Sequence, residues 1–145
     1  MISGFWQTDY ALLRPVRSYG CALLSAMYLA PVDFTITDVN EMYKSLLSVK
    51  FVDEECTVRD WQSVLNSISP HFAFKTRTTQ QYVCLACERE ILKWWLSNVE
   101  EHHFTVGNGS SMTVWDSMNR PDIMSKYATF VEKVVVRTNY QGGSS

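Results

Sequence analysis

His103-Phe104-Thr105-Val106, the break Gly107-Asn108-Gly109 and Met112-Thr113-Val114-Trp115-Asp116 decide the fold of this chain. Two short runs rich in β-branched and aromatic residues flank a Gly-Asn-Gly turn, so they read as antiparallel neighbours in a hairpin. Phe130 to Arg137 reads as another strand, and Phe72 to Thr78 alternates enough for one more. The C-terminal half is therefore expected to hold an antiparallel sheet.

Upstream the pattern is helical. Residues 18–30 predict an apolar helix, with Leu23, Leu24, Met27 and Tyr28 on one face and Pro31 ending it. Thr37 or Asp38 reads as the cap of a second helix that buries Val39, Met42, Tyr43, Leu46 and Leu47. Thr57-Val58-Arg59-Asp60 opens a third, Asp60-Trp61 reading as cap then core, with Val58, Trp61, Val64, Leu65 and Ile68 inward and Pro70 as its stop. Gln80 to Asn98 carries Leu85, Ile91, Leu92, Trp95 and Leu96 at spacings that predict a strongly amphipathic helix. Helices first and an antiparallel sheet after them give an α+β class, with N-terminal helices packed on a C-terminal sheet.

The chain has 145 residues, of which 46% are hydrophobic and 13% aromatic. That is enough to bury roughly two-thirds of the unfolded surface in one core. Residues 1–139 are expected to form a single domain, and 140–145, ending Gly142-Gly143-Ser144-Ser145, a flexible tail or linker. A formal charge of −2, from 13 basic and 15 acidic residues, makes no electrostatic case for nucleic acid or an anionic membrane. No stretch has the length of a membrane span, and the start shows no basic region followed by an apolar one, so a cytoplasmic location is expected. The four cysteines are expected to be free thiols in a chain this rich in core residues. Nothing in the sequence reports oligomeric state.

Cys21 stands where the apolar helix begins, in Ser18-Tyr19-Gly20-Cys21-Ala22-Leu23. Unpaired N–H groups and the helix dipole favour a thiolate at such a position. Acyl transfer by cysteine also needs a base, a group that orients the base, and donors for the developing oxyanion. His103 and Asp116 can emerge on one face of adjacent strands, which lets Asp116 hold an Nδ1–H of the imidazole. Gln7, with its side-chain amide, and the Cys21 N–H are the candidate oxyanion donors.

Gln7-Thr8-Asp9-Tyr10, Gly20-Cys21-Ala22-Leu23-Leu24-Ser25, His102-His103-Phe104-Thr105-Val106-Gly107-Asn108-Gly109 and Val114-Trp115-Asp116-Ser117 together resemble the papain-like cysteine peptidases. The likeness is greatest to the double-glycine leader peptidases of bacterial exporters and to small stand-alone relatives carried on plasmids and prophages. It implies a papain-like fold, a peptide or protein substrate, and roles for Cys21 as nucleophile, His103 as base, Asp116 as orienter and Gln7 as oxyanion donor. It implies no metal and no cofactor. The chain departs from the family pattern in three places. Gln7 lies further ahead of Cys21 than in the compact motif, Ala22 follows Cys21, and Ser117 stands where Pro is common.

Plainer readings compete with these. A cysteine in an apolar helix usually packs. His102 and His103 are neighbours on a strand, so only one can face Cys21, and His103 is the one followed by an aromatic. His71, after Pro70, reads as a loop residue. Cys84-Leu85-Ala86-Cys87 has the spacing of a zinc half-site without a second pair, and at helical spacing its default is packing. The alternative to a cysteine hydrolase is a catalytically silent binding module or inhibitor of mobile-element origin that keeps the same residues.

Overall fold

The computed structural model describes residues 1–139, so the expected 140–145 tail lies outside the described residues. The elements run α1 (Arg14–Tyr19), α2 (Cys21–Tyr28), α3 (Ile36–Ser48), α4 (Trp61–Ile68), β1 (Phe72–Thr78), β2 (Glu88–Leu96), β3 (Glu101–Gly107), β4 (Thr113–Trp115), α5 (Pro121–Tyr127) and β5 (Ala128–Thr138). The class is α+β: an N-terminal helical region against one antiparallel sheet in the order β1-β5-β2-β3-β4.

The helix expected over 18–30 is two helices that meet at Gly20. Gly20 N–H bonds the Val16 carbonyl at 2.7 Å and its own carbonyl receives Leu24 N–H at 2.8 Å, so one residue closes α1 and opens α2. A Cβ there would stand 2.4 Å from the Val16 oxygen, which only glycine avoids. Cys21 is thereby the first residue of α2. From Cys21 to Met27 every residue of α2 is buried, as expected of a helix that is apolar all round and runs through the core. Leu23, Leu24 and Met27, fully enclosed, contribute about 1.5–3 kcal/mol each by burial.

The cap of the second expected helix, α3, lies two residues before Thr37. Thr35 is the cap, accepting from Asp38 N–H, while the Asp38 carboxylate accepts from Thr35 N–H in a reciprocal capping box. Val39, Tyr43 and Leu46 are its buried stripe, with Met42 and Leu47 half-buried beside them. Asp60 caps α4, which buries Trp61, Val64, Leu65 and Ile68 as its periodicity requires, whereas Val58 lies ahead of the helix, half-buried and bridged to Val52.

Residues 80–98 do not form a helix. Glu88–Leu96 is β2, paired with β5 on one side and β3 on the other, and 79–87 is a loop lying over the sheet. Glu90, Ile91 and Leu92 are all fully buried, so the strand lacks the alternation that marks a half-exposed one. Its two inward glutamates carry partners: Lys75 and Tyr82 on Glu88, and Lys133 on Glu90. Cys84 and Cys87 consequently belong to a loop and share no helix face. Among the described residues no helix is long and apolar enough to cross a membrane.

Candidate active site

Each chemically expected residue is placed by a different element. Cys21 opens α2, with the amides of its first turn unpaired within the helix. His103 sits in the middle of β3, opposite Trp94 of β2. Asp116 follows directly after β4, where Trp115 pairs with Val106 of β3. The hairpin closes on itself through Asn108 N–H to the Met112 carbonyl, which brings the two side chains together. His103 Nε2 is 2.6 Å from Asp116 Oδ1.

The ring nitrogen on Asp116 is Nε2, where the sequence reading placed Nδ1. The second side-chain partner of the ring is the Cys21 thiol. Burial disfavours a charged His103, but the Asp116 hydrogen bond and then Cys21 outweigh it and push the imidazolium up to about 10. Burial also disfavours a charged Asp116. The bond from His103, reinforced by Met118 N–H at 2.9 Å, prevails and holds the carboxyl below its ordinary range.

Gln7 is buried and lines the same cleft as Cys21, His103 and Asp116, a cavity of about 470 Å³. Its backbone N–H bonds the Ser117 carbonyl at 2.9 Å, and its Nε2 donates to the Arg17 carbonyl at 3.2 Å. The long separation between Gln7 and Cys21 is taken up by α1, whose Arg17 carbonyl ties the chain back to Gln7. All four residues singled out from the sequence thus meet in one place.

Residues 3–139 match the family described as Protein of unknown function, DUF261. The chain belongs to DUF261. No curated protein and no solved structure matches it.

In this DUF261 chain His102 lines the same cleft, with its ring edge-on to Trp95 at 5.0 Å between centroids. Burial, then Lys93, disfavour its charged form. His71 lies at the start of β1, and its carbonyl accepts from Asn139 N–H at 2.9 Å. Among the described residues, no three His, Cys, Asp or Glu side chains are grouped as a metal site. Cys84 Sγ instead meets Glu90 Oε1 at 3.5 Å.

Three features in and beside the cleft acquire their meaning only in the fold. Trp61 and Phe104, at 6.0 Å between ring centroids, form an apolar wall together with Val58. Cys56, fully buried in a left-handed turn at φ 55°, also lines the cleft, and burial, then Cys21 and Asp53, push its thiol well up. Ser117 meets Gln7 through both backbone and side chain. Cys56 carries no local motif, and the sequence marks Ser117 only as the residue after Asp116, without its link to Gln7.

Proposed function

We propose that this chain is a cysteine hydrolase of papain-like type, acting on a peptide, amide or isopeptide bond through a thioester acyl-enzyme. The observation that carries the reading is His103 held between Asp116 and Cys21, at a cleft that Gln7 also lines. A base fixed by a buried carboxylate and facing a helix-start thiol is the arrangement that acyl transfer to sulfur requires.

In this mechanism Cys21 attacks as a thiolate beside the His103 imidazolium. The sulfur bonds to the carbonyl carbon, and the oxygen takes the charge. Cys21 N–H and the Gln7 amide stand as its donors, each worth about 10²–10³-fold in rate. The carbon–nitrogen bond breaks as His103 passes its proton to the departing amine, leaving a thioester. Water then attacks, His103 takes its proton, and collapse of the second tetrahedral species frees the acid and restores the ion pair. A leaving group of ammonia makes the same sequence a deamidation.

Trapping tests this. Iodoacetamide at neutral pH should label Cys21 rapidly and saturably, ahead of Cys56, Cys84 and Cys87, and peptides should leave an acyl mass on Cys21 that Cys21→Ala abolishes. A Cys21 no faster than the other thiols, or hydrolysis retained in purified Cys21→Ala, overturns the reading.

A further inference from the structure

Ser117 is fully buried directly after Asp116, yet its contacts reach 110 residues back along the chain. Its carbonyl accepts from Gln7 N–H at 2.9 Å, and its hydroxyl meets Gln7 Oε1. The opposite end of the same amide, Nε2, lies 3.2 Å from the Arg17 carbonyl. A carbonyl only accepts, so the atom facing Arg17 is the nitrogen, the atom facing Ser117 is the oxygen, and the Ser117 hydroxyl is the donor.

The amide nitrogen carries two hydrogens. One is engaged by Arg17, and the other belongs to a side chain that lines the cleft with Cys21. The terminal torsion of glutamine is soft, so the placement of that second hydrogen depends on what grips the oxygen. A buried amide oxygen without a donor would swing to find one. Donation into the oxygen also polarises the amide and strengthens its N–H as a donor.

We propose that Ser117 is a positioning residue of the site, its hydroxyl pinning the Gln7 amide so that the second Nε2 hydrogen stays aimed at the oxyanion. The inference rests on the hydrolase reading above. It makes one turn the support of both halves of the chemistry. Asp116 orients the base, and the next residue orients the oxyanion donor.

Two reactions of Cys21 separate this role from a general one. Alkylation by iodoacetamide needs the thiolate and develops no oxyanion. A peptide aldehyde forms a thiohemiacetal whose oxygen lies where the oxyanion would. The probes are iodoacetamide and a panel of acetyl-dipeptide aldehydes with apolar, acidic and basic side chains, with aldehyde affinity read as protection from alkylation. Ser117→Ala should weaken the protecting aldehydes by on the order of tenfold to a hundredfold while leaving the alkylation rate unchanged. Ser117→Thr, which keeps the donor, should restore affinity, and Ser117→Ala should add nothing in a Gln7→Ala background.

An aldehyde affinity unchanged in Ser117→Ala, an undiminished loss in the Gln7→Ala background, or alkylation falling in step with affinity overturns the proposal. Should the alanine variant not fold, a crystal structure of the wild-type aldehyde adduct decides: Gln7 Oε1 on the Ser117 hydroxyl supports it, and an amide turned away from Ser117 overturns it. Wild-type protein that no aldehyde protects refutes the hydrolase reading itself, before any variant is compared, and this inference with it.

Discussion

His103 Nε2 lies 2.6 Å from Asp116 Oδ1, a contact closed across the β3–β4 hairpin with both side chains almost sealed from water. Of the influences that raise the His103 pKa against the cost of burial, this bond is the largest, and together with Cys21 it carries the value to about 10. In the proposed hydrolase His103 must be protonated to release the leaving group, so kcat/KM should fall on the alkaline side near pH 10 and not near the ordinary 6.5. In Asp116→Ala the alkaline limb should move down toward neutrality. A wild-type limb centred near 6.5 would show that Asp116 does not hold the imidazolium.

The same pair sets a stability window with two edges. The folded-state value of His103 is raised, so its contribution is complete below 6.5 and is lost as pH climbs through about 10. That of Asp116 is depressed below its ordinary 3.8, so its contribution is complete above 3.8 and is lost on acidification beneath it. Chemical denaturation across pH should show Asp116→Ala closest to wild type at the two extremes and furthest from it between them. A difference that does not vary with pH would refute the linkage.

How much of this was legible follows from the range of the interactions. The hairpin declared itself because a Gly-containing turn between β-branched runs is a local signal, and Asp60 declared itself as a cap for the same reason. The segment 80–98 misled because Ile91, Leu92, Trp95 and Leu96 also fit a helical stripe. What makes β2 a strand is its pairing with β3 across a short turn and with β5, whose residues lie far along the chain. Buried glutamates are a poor strand signal until Lys75 and Lys133 are seen beside them. Cys21, His103 and Asp116 could be picked out by motif, whereas Ser117 acquires meaning only through Gln7, 110 residues away.

Thiol chemistry should discriminate among the cysteines. Burial, followed by Glu90, pushes Cys84 up to about 12, and Cys56 is fully enclosed with its thiol also raised. Both should resist iodoacetamide at neutral pH while Cys21 reacts, because the thiolate is the reactive form. Mass mapping of the alkylated protein reads this directly. Early labelling of Cys56 would mean that its turn opens readily.

Trp61 and Trp95, both read from the sequence as residues of apolar helix faces, should part. Trp61 is buried against Phe104, and Trp61→Ala should cost about 3–5 kcal/mol. Trp95 is 36% exposed and touches the His102 ring, so Trp95→Ala should cost only about 0.5–1 kcal/mol. Urea melts of the two variants give both numbers, and equal losses would contradict the burial pattern.

The sharpest stability test lies under the 79–87 loop. Lys133 Nζ is 2.6 Å from Glu90 Oε1, both side chains are fully buried, and Lys133 also donates to the Tyr82 carbonyl of the loop. Glu90 Oε2 takes Ser111 N–H at 2.8 Å, so the pair ties loop, β2, β5 and the β3–β4 turn together. Breaking a buried pair strands a charge, and Lys133→Met should cost about 3–5 kcal/mol. Adding Glu90→Gln to Lys133→Met should recover much of it, since a neutral amide is cheaper to bury than an orphaned carboxylate. Gly107 belongs to the same unit: a Cβ there would stand 2.1 Å from Glu90 Oε2, so Gly107→Ala must displace the carboxylate. Its penalty should therefore be far from additive with that of Lys133→Met, as expected for residues sharing one network. Additive losses in the double variant would show that Gly107 and the ion pair act separately.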